Sequence, residues 1–337
     1  MLTDDFISYI RGVRRYSSRT CEIYSDTLRE FTAFLAGDGN ALDDSELLKS
    51  LTPGTLRNYE VELLDDGNLS PRTVNLHISA LSSFCSYLLG RGLISSNPAK
   101  LMTRPKVGKR IPEFYRKESM DSYFRETRYF SGEEALEEFI GIVNSGQNGE
   151  SAVKMAGDFY NKRLFRLIIS ILYQTGIRRA ELLGLRISSV DFKRSQLTVR
   201  GKGDKMREIP VTPSLCEEIS LYLKAAETMA GRERAKDEPL LVSEKGKALY
   251  PVFIDRVVKG ELGQTEGITG RKSPHMLRHT LATELLDSGA DMYSIKEFLG
   301  HSSLAATQVY THNSIEKLKK VYLNAHPRAK RGGKNGD

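Results

Sequence analysis

The sequence predicts a mainly α-helical protein with a small β-sheet, an α+β fold divided into two domains. Apolar residues recur at helical spacing along most of the chain. One segment carries a hairpin signal instead, with glycines at 201 and 203 between two short extended runs. A chain of 337 residues also exceeds what a single small core accommodates. We therefore predict a helical domain over 1–105, a larger domain over 106–325 and a disordered basic tail over 326–337.

The first domain is predicted to be a helical bundle. Ser17, Ser18 and Thr20 are candidate caps for a helix whose apolar stripe steps by three or four residues. Ser70 is a candidate cap for a second helix, with Pro71 in its first turn. Shorter helices are predicted around 3–11 and 53–65. The two stripes contain Tyr24, Leu28, Phe31 and Leu35, then Val74, Ile78, Leu81, Phe84 and Leu88.

Residues 103–112 have the composition of an interdomain linker, with two prolines, one glycine and four basic residues. The segment beyond is predicted to be helical apart from one hairpin, formed by the extended runs 196–200 and 206–211. The tail is polar, glycine-rich and basic, which is typical of disorder.

The net charge of +7 is distributed unevenly. Residues 1–105 contain 11 Lys and Arg and 13 Asp and Glu, a net −2, whereas the remainder contains 39 and 30, a net +9. This basic excess favours a polyanionic partner for the second domain. Three scattered cysteines, Cys21, Cys85 and Cys216, indicate reduced thiols of a cytoplasmic protein. No segment indicates a signal peptide or a membrane span.

Four polar residues near the C-terminal end have residue types suited to phosphate chemistry. His275 and Arg278 lie three apart in HMLRH, His301 ends FLGH, and Tyr310 lies in QVYTH. An arginine fork binds a phosphate, an imidazole transfers protons and a phenol can attack as a nucleophile. A zinc-binding helix at HMLRH is disfavoured. Zinc proteases have Glu directly after the first His of such a helix, whereas this chain has Met276 there. Taken one at a time, each residue also fits an ordinary role in packing or capping.

Two further basic residues precede these four. Arg178 lies at the start of a helix in YQTGIRRAELLGL, where Gly176 permits a tight approach and free N–H groups suit a phosphate. Lys202 lies between two glycines at the predicted hairpin tip, from which an ammonium could protonate a leaving oxygen. Each of them alone is more simply a solvated surface charge.

The ordered set of residues resembles the tyrosine recombinase (phage integrase) family, and in particular its bacterial Xer-type members. The family's catalytic pattern falls on Arg178, Lys202, His275, Arg278, His301 and Tyr310, and its acidic residue falls on Glu181. The N-terminal phrases SSRTCEIYSDTLREFTAFL, SPRTVNLHISALSSFCSYL and NPAKLMTRPK are similar to the family's core-binding domain and its exit. One departure is extra length between Phe130 and Phe165, which suggests an insertion over about 131–160.

The resemblance implies a fold and an activity. It implies a core-binding (SAM-like) DNA-binding domain over 1–105 and a catalytic domain over 106–325, which together form a C-shaped clamp on double-stranded DNA. Tyr310 is expected to attack a phosphodiester at a specific recombination site, giving a 3′-phosphotyrosyl link and a free 5′-hydroxyl. Strand exchange then proceeds through a Holliday junction without a cofactor, metal or ATP. The tentative DNA contacts are Arg19, Arg72 and Asn75.

The resemblance also implies an assembly on DNA. Residues 314–325 are predicted to form an amphipathic helix that docks into a neighbouring subunit, giving a homo-tetramer on DNA or a complex with a paired recombinase. Two other functions remain open at this point. One is a type IB topoisomerase-like enzyme that relaxes a single duplex, and the other is a catalytically silent DNA-binding protein of the same fold. The target DNA and the biological role, whether chromosome-dimer resolution, integration, excision or inversion, are not predicted.

Overall fold

The structure is a computed structural model that describes residues 1–37, 42–65, 69–108, 114–145, 150–201 and 204–300. The chain divides into two compact units, Met1–Arg110 and Ile111–Asp337. Across these described ranges, no helix combines the length and the apolarity that a membrane span requires. Each unit has its own hydrophobic core.

All regular secondary structure in the described residues of the first unit is helical, as predicted. Ser17 and Ser70 cap two of the helices, because each side-chain oxygen accepts a hydrogen bond from the backbone N–H three residues later, both at 3.2 Å. A further short 3-10 turn follows the last helix. The elements are α1 (Leu2–Gly12), α2 (Ser18–Ala36), α3 (Asp44–Ser50), α4 (Pro53–Asp65), α5 (Pro71–Gly90) and the turn Pro98–Leu101.

Aromatic residues join the helices of this unit. Phe6 of α1 packs edge-on against Phe84 of α5, with ring centroids 5.4 Å apart. Phe31 of α2 packs edge-on against Tyr59 of α4 at 5.0 Å. The predicted stripes therefore meet in one core, in which Phe6, Phe31 and Phe84 are fully buried.

The second unit combines helices with one small sheet, which confirms the predicted α+β class. Its longest helix, Glu150–Thr175, lies at the centre and packs against five of the other helices. The helices are α6 (Lys117–Glu126), α7 (Glu133–Asn144), α8 (Glu150–Thr175), α9 (Arg179–Leu183), α10 (Pro213–Ala230), α11 (Pro251–Gly263), α12 (Pro274–Asp287) and α13 (Met292–Leu299).

The sheet contains the predicted hairpin and one short additional strand. Its strands are β1 (Val190–Asp191), β2 (Gln196–Arg200) and β3 (Met206–Pro210), antiparallel and in the order β1-β2-β3. In the hairpin Val199 is paired with Arg207, and Arg200 with Met206. Leu197, Val199 and Ile209 are buried, so one face of the hairpin contributes to the core of the unit.

The segment with extra length forms regular structure where it is described. Helix α7 occupies 133–144 and buries Leu136 and Phe139 in the core of the second unit. The three cysteines, Cys21, Cys85 and Cys216, are buried. The predicted helix 314–325 and the tail 326–337 lie outside the described residues.

Candidate active site

The junction between α8 and α9 positions the first predicted arginine. Gly176 ends α8 with a φ of +59°, a conformation that favours glycine. A Cβ added there would lie 2.5 Å from Leu299 and 3.0 Å from Leu281, so only glycine fits this close approach. The chain then turns into α9, where Arg178 is the N-cap residue. The predicted role of Gly176 in a tight approach is therefore what the structure shows.

Glu181 holds Arg178 in place at the start of α9. Its Oε2 accepts a hydrogen bond from the Arg178 backbone N–H at 2.8 Å, and its Oε1 accepts one from Arg178 Nη1 at 2.8 Å. The carboxylate thus fixes both the backbone and the guanidinium of the same residue. The neighbouring Arg179 has a different partner, since it pairs with Asp255 of α11. The two consecutive arginines of the motif therefore have different ion-pair partners.

Arg278 reaches the same place from α12. Its side chain is buried and donates two hydrogen bonds of 2.6 Å, from Nη1 to the Gly176 carbonyl and from Nη2 to the Leu299 carbonyl. Arg178 Nη2 donates to the next carbonyl in the chain, that of Gly300, at 2.8 Å. Two guanidiniums that are 100 positions apart in the sequence therefore hold consecutive peptide carbonyls at the end of α13.

The site is electropositive. Burial and, to a smaller extent, the charge of the neighbouring Arg178 together lower the pKa of Arg278 to about 10, although Glu181 opposes the effect. The guanidinium remains protonated at neutral pH, since its pKa is still well above 7. Burial alone would raise the pKa of Glu181, but hydrogen bonds from Arg207 and Arg178 lower it to about 2. A site with this excess of positive charge is suited to an anionic ligand.

His275 lies one turn before Arg278 on α12 and is exposed. Partial burial lowers its pKa, and so do the positive charges of Arg278 and the other nearby basic residues. The lowered pKa favours the neutral imidazole at pH 7, and a neutral imidazole can accept a proton. Position and protonation state therefore suit a proton acceptor at the edge of the site.

Three predicted catalytic residues, Lys202, His301 and Tyr310, lie outside the described residues. Two of their chain neighbours are described. Gly201 directly precedes Lys202, and Gly300 directly precedes His301. Both glycines lie beside the Arg178–Glu181 pair, since Gly300 accepts from Arg178 and a Cβ at Gly201 would lie 3.6 Å from Glu181 Oε1.

The candidate DNA contacts lie on the first unit. Arg19 in the first turn of α2 and Arg72 in the first turn of α5 are exposed, and Arg19 pairs with Glu22 at 3.3 Å. Asn75 of α5 is partly buried and donates from Nδ2 to the Pro105 carbonyl at 2.9 Å. Asn75 therefore anchors the chain segment that follows the 3-10 turn.

One residue of the site, Arg207 of β3, was missed by the sequence analysis. Its guanidinium donates to both carboxylate oxygens of Glu181, at 2.9 and 2.8 Å. A signal for it exists in the sequence, because the period of two along a strand places Arg207 on the same buried face as Ile209. A charged residue on a buried strand face requires a partner of opposite charge.

No group of three or more His, Cys, Asp or Glu within the described ranges could hold a metal ion. The described part of the site contains the Glu181 carboxylate, the guanidiniums of Arg178 and Arg207 that bind it, and the nearby guanidinium of Arg278. Such an arrangement can bind and neutralise a phosphate group.

The chain matches two family models, and these follow one another along the chain in the order of the two predicted domains. Residues 2–95 match the N-terminal SAM-like domain of phage integrases, and residues 151–317 match the phage integrase family. The tyrosine recombinase XerC of Chlorobaculum tepidum is 31% identical over 96% of this chain and 94% of its own length. XerC of Bacillus subtilis is 34% identical over 96% of this chain and 95% of its own. The chain belongs to the tyrosine recombinase (phage integrase) family of enzymes, which confirms the resemblance.

Solved structures support the fold. XerH site-specific recombinase bound to a difH substrate, in a pre-cleavage complex, has a TM-score of 0.57 at 20% identity, covering 94% of this chain and 83% of that chain. A λ integrase tetramer bound to a Holliday junction has a TM-score of 0.58 at 16% identity, covering 92% and 79%. Similarity at this level of identity supports the fold alone.

Proposed function

We propose that this chain is a site-specific DNA recombinase that cleaves double-stranded DNA through a covalent link to Tyr310. The single observation that carries the proposal is the convergence of Arg178 and Arg278 on the carbonyls of residues 299 and 300. His301 follows immediately in the chain, and Tyr310 follows nine residues later. The two arginines that suit a phosphate are thereby tied to the segment that leads to the candidate nucleophile.

Each residue has a specific role in the proposed chemistry. The phenol oxygen of Tyr310 attacks the phosphorus, forms a P–O bond to the 3′-phosphate and displaces the 5′-oxygen. A free phenol has a pKa near 10, so roughly one in a thousand is ionised at pH 7. The neutral imidazole of His275 is suited to accept the phenol proton, and Lys202 is the candidate donor to the departing 5′-oxygen.

The transition state accumulates negative charge on the non-bridging phosphate oxygens. Each guanidinium has five N–H groups, and the two carbonyl contacts of Arg278 leave others free to donate to the phosphate. Arg178 contributes in the same way, and His301 is the candidate for a further donor. The free energy of the phosphodiester is retained in the phosphotyrosine. The reverse step, in which a second 5′-hydroxyl attacks, therefore requires neither ATP nor a metal.

The DNA duplex is the proposed partner of both domains. Residues 1–105 are proposed as the DNA-binding domain, residues 106–325 as the catalytic domain, and 103–112 as their linker in a clamp around the duplex. Arg19, Arg72 and Asn75 remain candidate contacts of the first domain. Affinity is expected to fall steeply with salt because phosphate contacts release counterions, and a salt titration of binding tests this. A DNA substrate also implies a cytoplasmic location, which cell fractionation tests.

Strand exchange requires several subunits. The λ integrase structure to which this fold is similar is a tetramer on a Holliday junction. We propose the same arrangement here, with the segment 314–325 exchanged between subunits, either among four copies or with a paired recombinase. The type IB topoisomerase-like alternative is not favoured, because the curated relatives are named tyrosine recombinases over nearly the whole chain. A catalytically silent protein is disfavoured by the residue types at all six proposed catalytic positions.

Covalent trapping tests the proposed function. The full chain is incubated with a library of genomic duplex fragments, some carrying nicks that let the short 5′-ended strand diffuse away after cleavage. Protein-linked DNA is collected under denaturing conditions and sequenced. We expect a few related sequences to dominate, each attached through its 3′ end. Equal recovery of all sequences would favour the topoisomerase-like activity, and the absence of any linked DNA would contradict the proposal.

A further inference from the structure

We propose that Arg207 is a positioning residue for this reaction, which fixes Glu181 and through it the guanidinium of Arg178. The proposal rests on the proposed function, since Arg178 is assigned there to the phosphate. Arg207 belongs to β3, and its guanidinium contacts the Glu181 carboxylate of α9.

The first observation is the shared carboxylate. Glu181 Oε1 accepts from Arg178 Nη1 at 2.8 Å and from Arg207 Nη1 at 2.9 Å. Its Oε2 accepts from the Arg178 backbone N–H at 2.8 Å and from Arg207 Nη2 at 2.8 Å. Every contact that fixes Arg178 through Glu181 therefore involves an oxygen that Arg207 also holds. If the fork of Arg207 is lost, the carboxylate can rotate and the Arg178 guanidinium moves with it.

The second observation is burial. The side chain of Arg207 is 8% exposed and that of Glu181 is 4% exposed. Arg178 is different, since 34% of its side chain remains exposed at the site. Arg278 is also buried, but among the described residues its guanidinium donates only to backbone carbonyls. Both Nη atoms of Arg207 are instead held by the Glu181 carboxylate, so we assign Arg207 an action on the reaction through the groups that it contacts.

The third observation is the packing of Arg207 against two glycines. A Cβ built on Gly300 would lie 3.0 Å from Cζ of Arg207, and a Cβ built on Gly201 would lie 3.3 Å from its Nη1. The guanidinium therefore lies against the backbone of both glycines, at distances that leave little room for a side chain. These are the residues that directly precede Lys202 and His301. One planar group thus contacts the backbone at two places where the chain leads to a proposed catalytic residue.

The Arg207 Nε atom is buried and has no hydrogen-bond partner among the described residues. A planar fork is well suited to this position, because it donates two parallel hydrogen bonds and presents a flat face to the glycines. Lysine has neither property, although it retains the charge. Arginine and lysine are therefore expected to differ at this position.

Single-turnover cleavage of a nicked duplex tests the proposal, with the duplex carrying a sequence recovered by covalent trapping. We expect Arg207→Met to cleave roughly 10- to 100-fold more slowly, because a misplaced catalytic group loses rate by about this factor. Its affinity for the same duplex should remain within about threefold, since the fork of Arg207 is bound to Glu181 and is not assigned to a phosphate contact. Arg207→Lys should fall between Arg207→Met and the wild type.

The pH profile separates positioning from a loss of stability. Without Arg207, the pKa of Glu181 is expected to rise, because burial then opposes ionisation with one guanidinium fewer. Acid then protonates Glu181 and releases Arg178, so the acid side of the cleavage profile should shift to higher pH. Arg234→Met is the matched control, because Arg234 is equally buried and ion-paired but contacts Glu238 and the carbonyls of Pro239 and Leu240.

Glu181→Gln provides a second comparison, because it changes the same contacts from the carboxylate side. The double variant with Arg207→Met should cleave as slowly as the slower single variant, because both changes break one unit. Denaturant unfolding without DNA of the wild type, the two single variants and the double variant should show that the losses in unfolding free energy are also not additive.

The outcomes separate the two proposals. If the wild type cleaves and Arg207→Met cleaves equally fast, the positioning role is wrong. The positioning role is also wrong if Arg207→Met is slower but keeps the wild-type pH profile. An unchanged pH profile is the result expected for the control Arg234→Met. If the wild type forms no covalent product on any duplex, the proposed function fails, whatever coupling the unfolding experiment shows.

Discussion

At the scale of single residues, the described site depends on how two arginines are held. Arg178 and Arg278 each use part of the guanidinium on protein groups, and those contacts fix the orientation of the N–H groups that remain. Preorganised donors of this kind stabilise a transition state without rearranging during the reaction. The orientation of each fork therefore matters as much as its charge.

Arg278→Lys tests this requirement. Lysine keeps one positive charge but lacks the planar fork whose two Nη atoms donate to the Gly176 and Leu299 carbonyls. We expect a loss of roughly 100- to 1,000-fold in single-turnover cleavage, the range measured for removal of an oxyanion donor in another enzyme. Duplex affinity should change far less.

Arg179→Lys is the matched control, since Arg179 is adjacent to Arg178 but pairs with Asp255. It should cleave at nearly the wild-type rate. Equal losses in both variants would show that any change to the local charge matters, and would contradict the specific role of Arg278.

The motif residues could be proposed from the sequence because a resemblance orders them along the chain, and their catalytic roles stay predictions. Arg207 could not be predicted in the same way. Its strand is five residues long, and an arginine there is ambiguous until its partner is known. The partner, Glu181, lies 26 positions away on a different element, and no local pattern connects the two.

At the scale of elements, prediction succeeded where caps and stripes coincide. Ser17 and Ser70 cap the predicted helices, and the hairpin strands pair as expected. Helix α3 was missed because seven residues are too few to show a helical period, and β1 was missed because it has only two residues. Helix α6 was not singled out because its sequence, KESMDSYFRE, is largely polar.

Two charged residues interrupt the buried apolar stripe of helix α12. Arg278 and Glu284 are both buried on it, among apolar residues such as Leu277, Leu281 and Leu285. Both oxygens of Glu284 accept from the Tyr173 hydroxyl of α8, at 2.7 and 2.8 Å. Burial raises the pKa of Glu284 to about 7, and the Tyr173 hydrogen bond only partly opposes this.

Glu284 is expected to make the stability of the protein depend on pH. Its folded pKa of about 7 exceeds the ordinary value of 4.5, so the folded state binds the proton more tightly. The stabilisation is therefore complete below pH 4.5 and is lost as the pH rises through 7. In Glu284→Gln this titration is absent. We expect its free energy of unfolding to gain up to about 3 kcal/mol relative to the wild type between pH 4.5 and 8.

Denaturant unfolding at several pH values measures this difference. Tyr173→Phe is a useful companion, because loss of the hydroxyl should raise the carboxyl pKa and shift the pH-dependent range upward. Parallel stability curves for Glu284→Gln and the wild type would show that Glu284 does not titrate in this range.

At the scale of the whole molecule, the basic excess predicts a polyanionic partner and the length predicts two domains, but neither predicts how the two domains act together. The excess positive charge lies beyond residue 105, where the arginines of the site are found. The first domain carries a net −2, so its proposed DNA contacts depend on local groups such as Arg19 and Arg72. Net charge alone does not identify such a surface, because the positions of individual side chains decide it.

Removal of the C-terminal segment tests the proposed assembly. A chain that ends at Asn313 retains Tyr310 but lacks the predicted helix 314–325. We expect it to cleave a single nicked site while losing recombination between two sites, because the exchanged segment is absent. A chain that ends at Ala325 is the control, since it lacks only the predicted tail. Recombination and sedimentation with DNA measure both, and unchanged recombination in the shorter chain would overturn the exchange.

The most direct test of the account is to locate the covalent link itself. The wild-type chain, trapped on a nicked duplex, is digested with nuclease and protease, and the peptide carrying a nucleotide is sequenced by mass spectrometry. The account predicts a 3′-nucleotidyl group on Tyr310 and no adduct in Tyr310→Phe under the same conditions. An adduct on another residue, or one that persists in Tyr310→Phe, would contradict it.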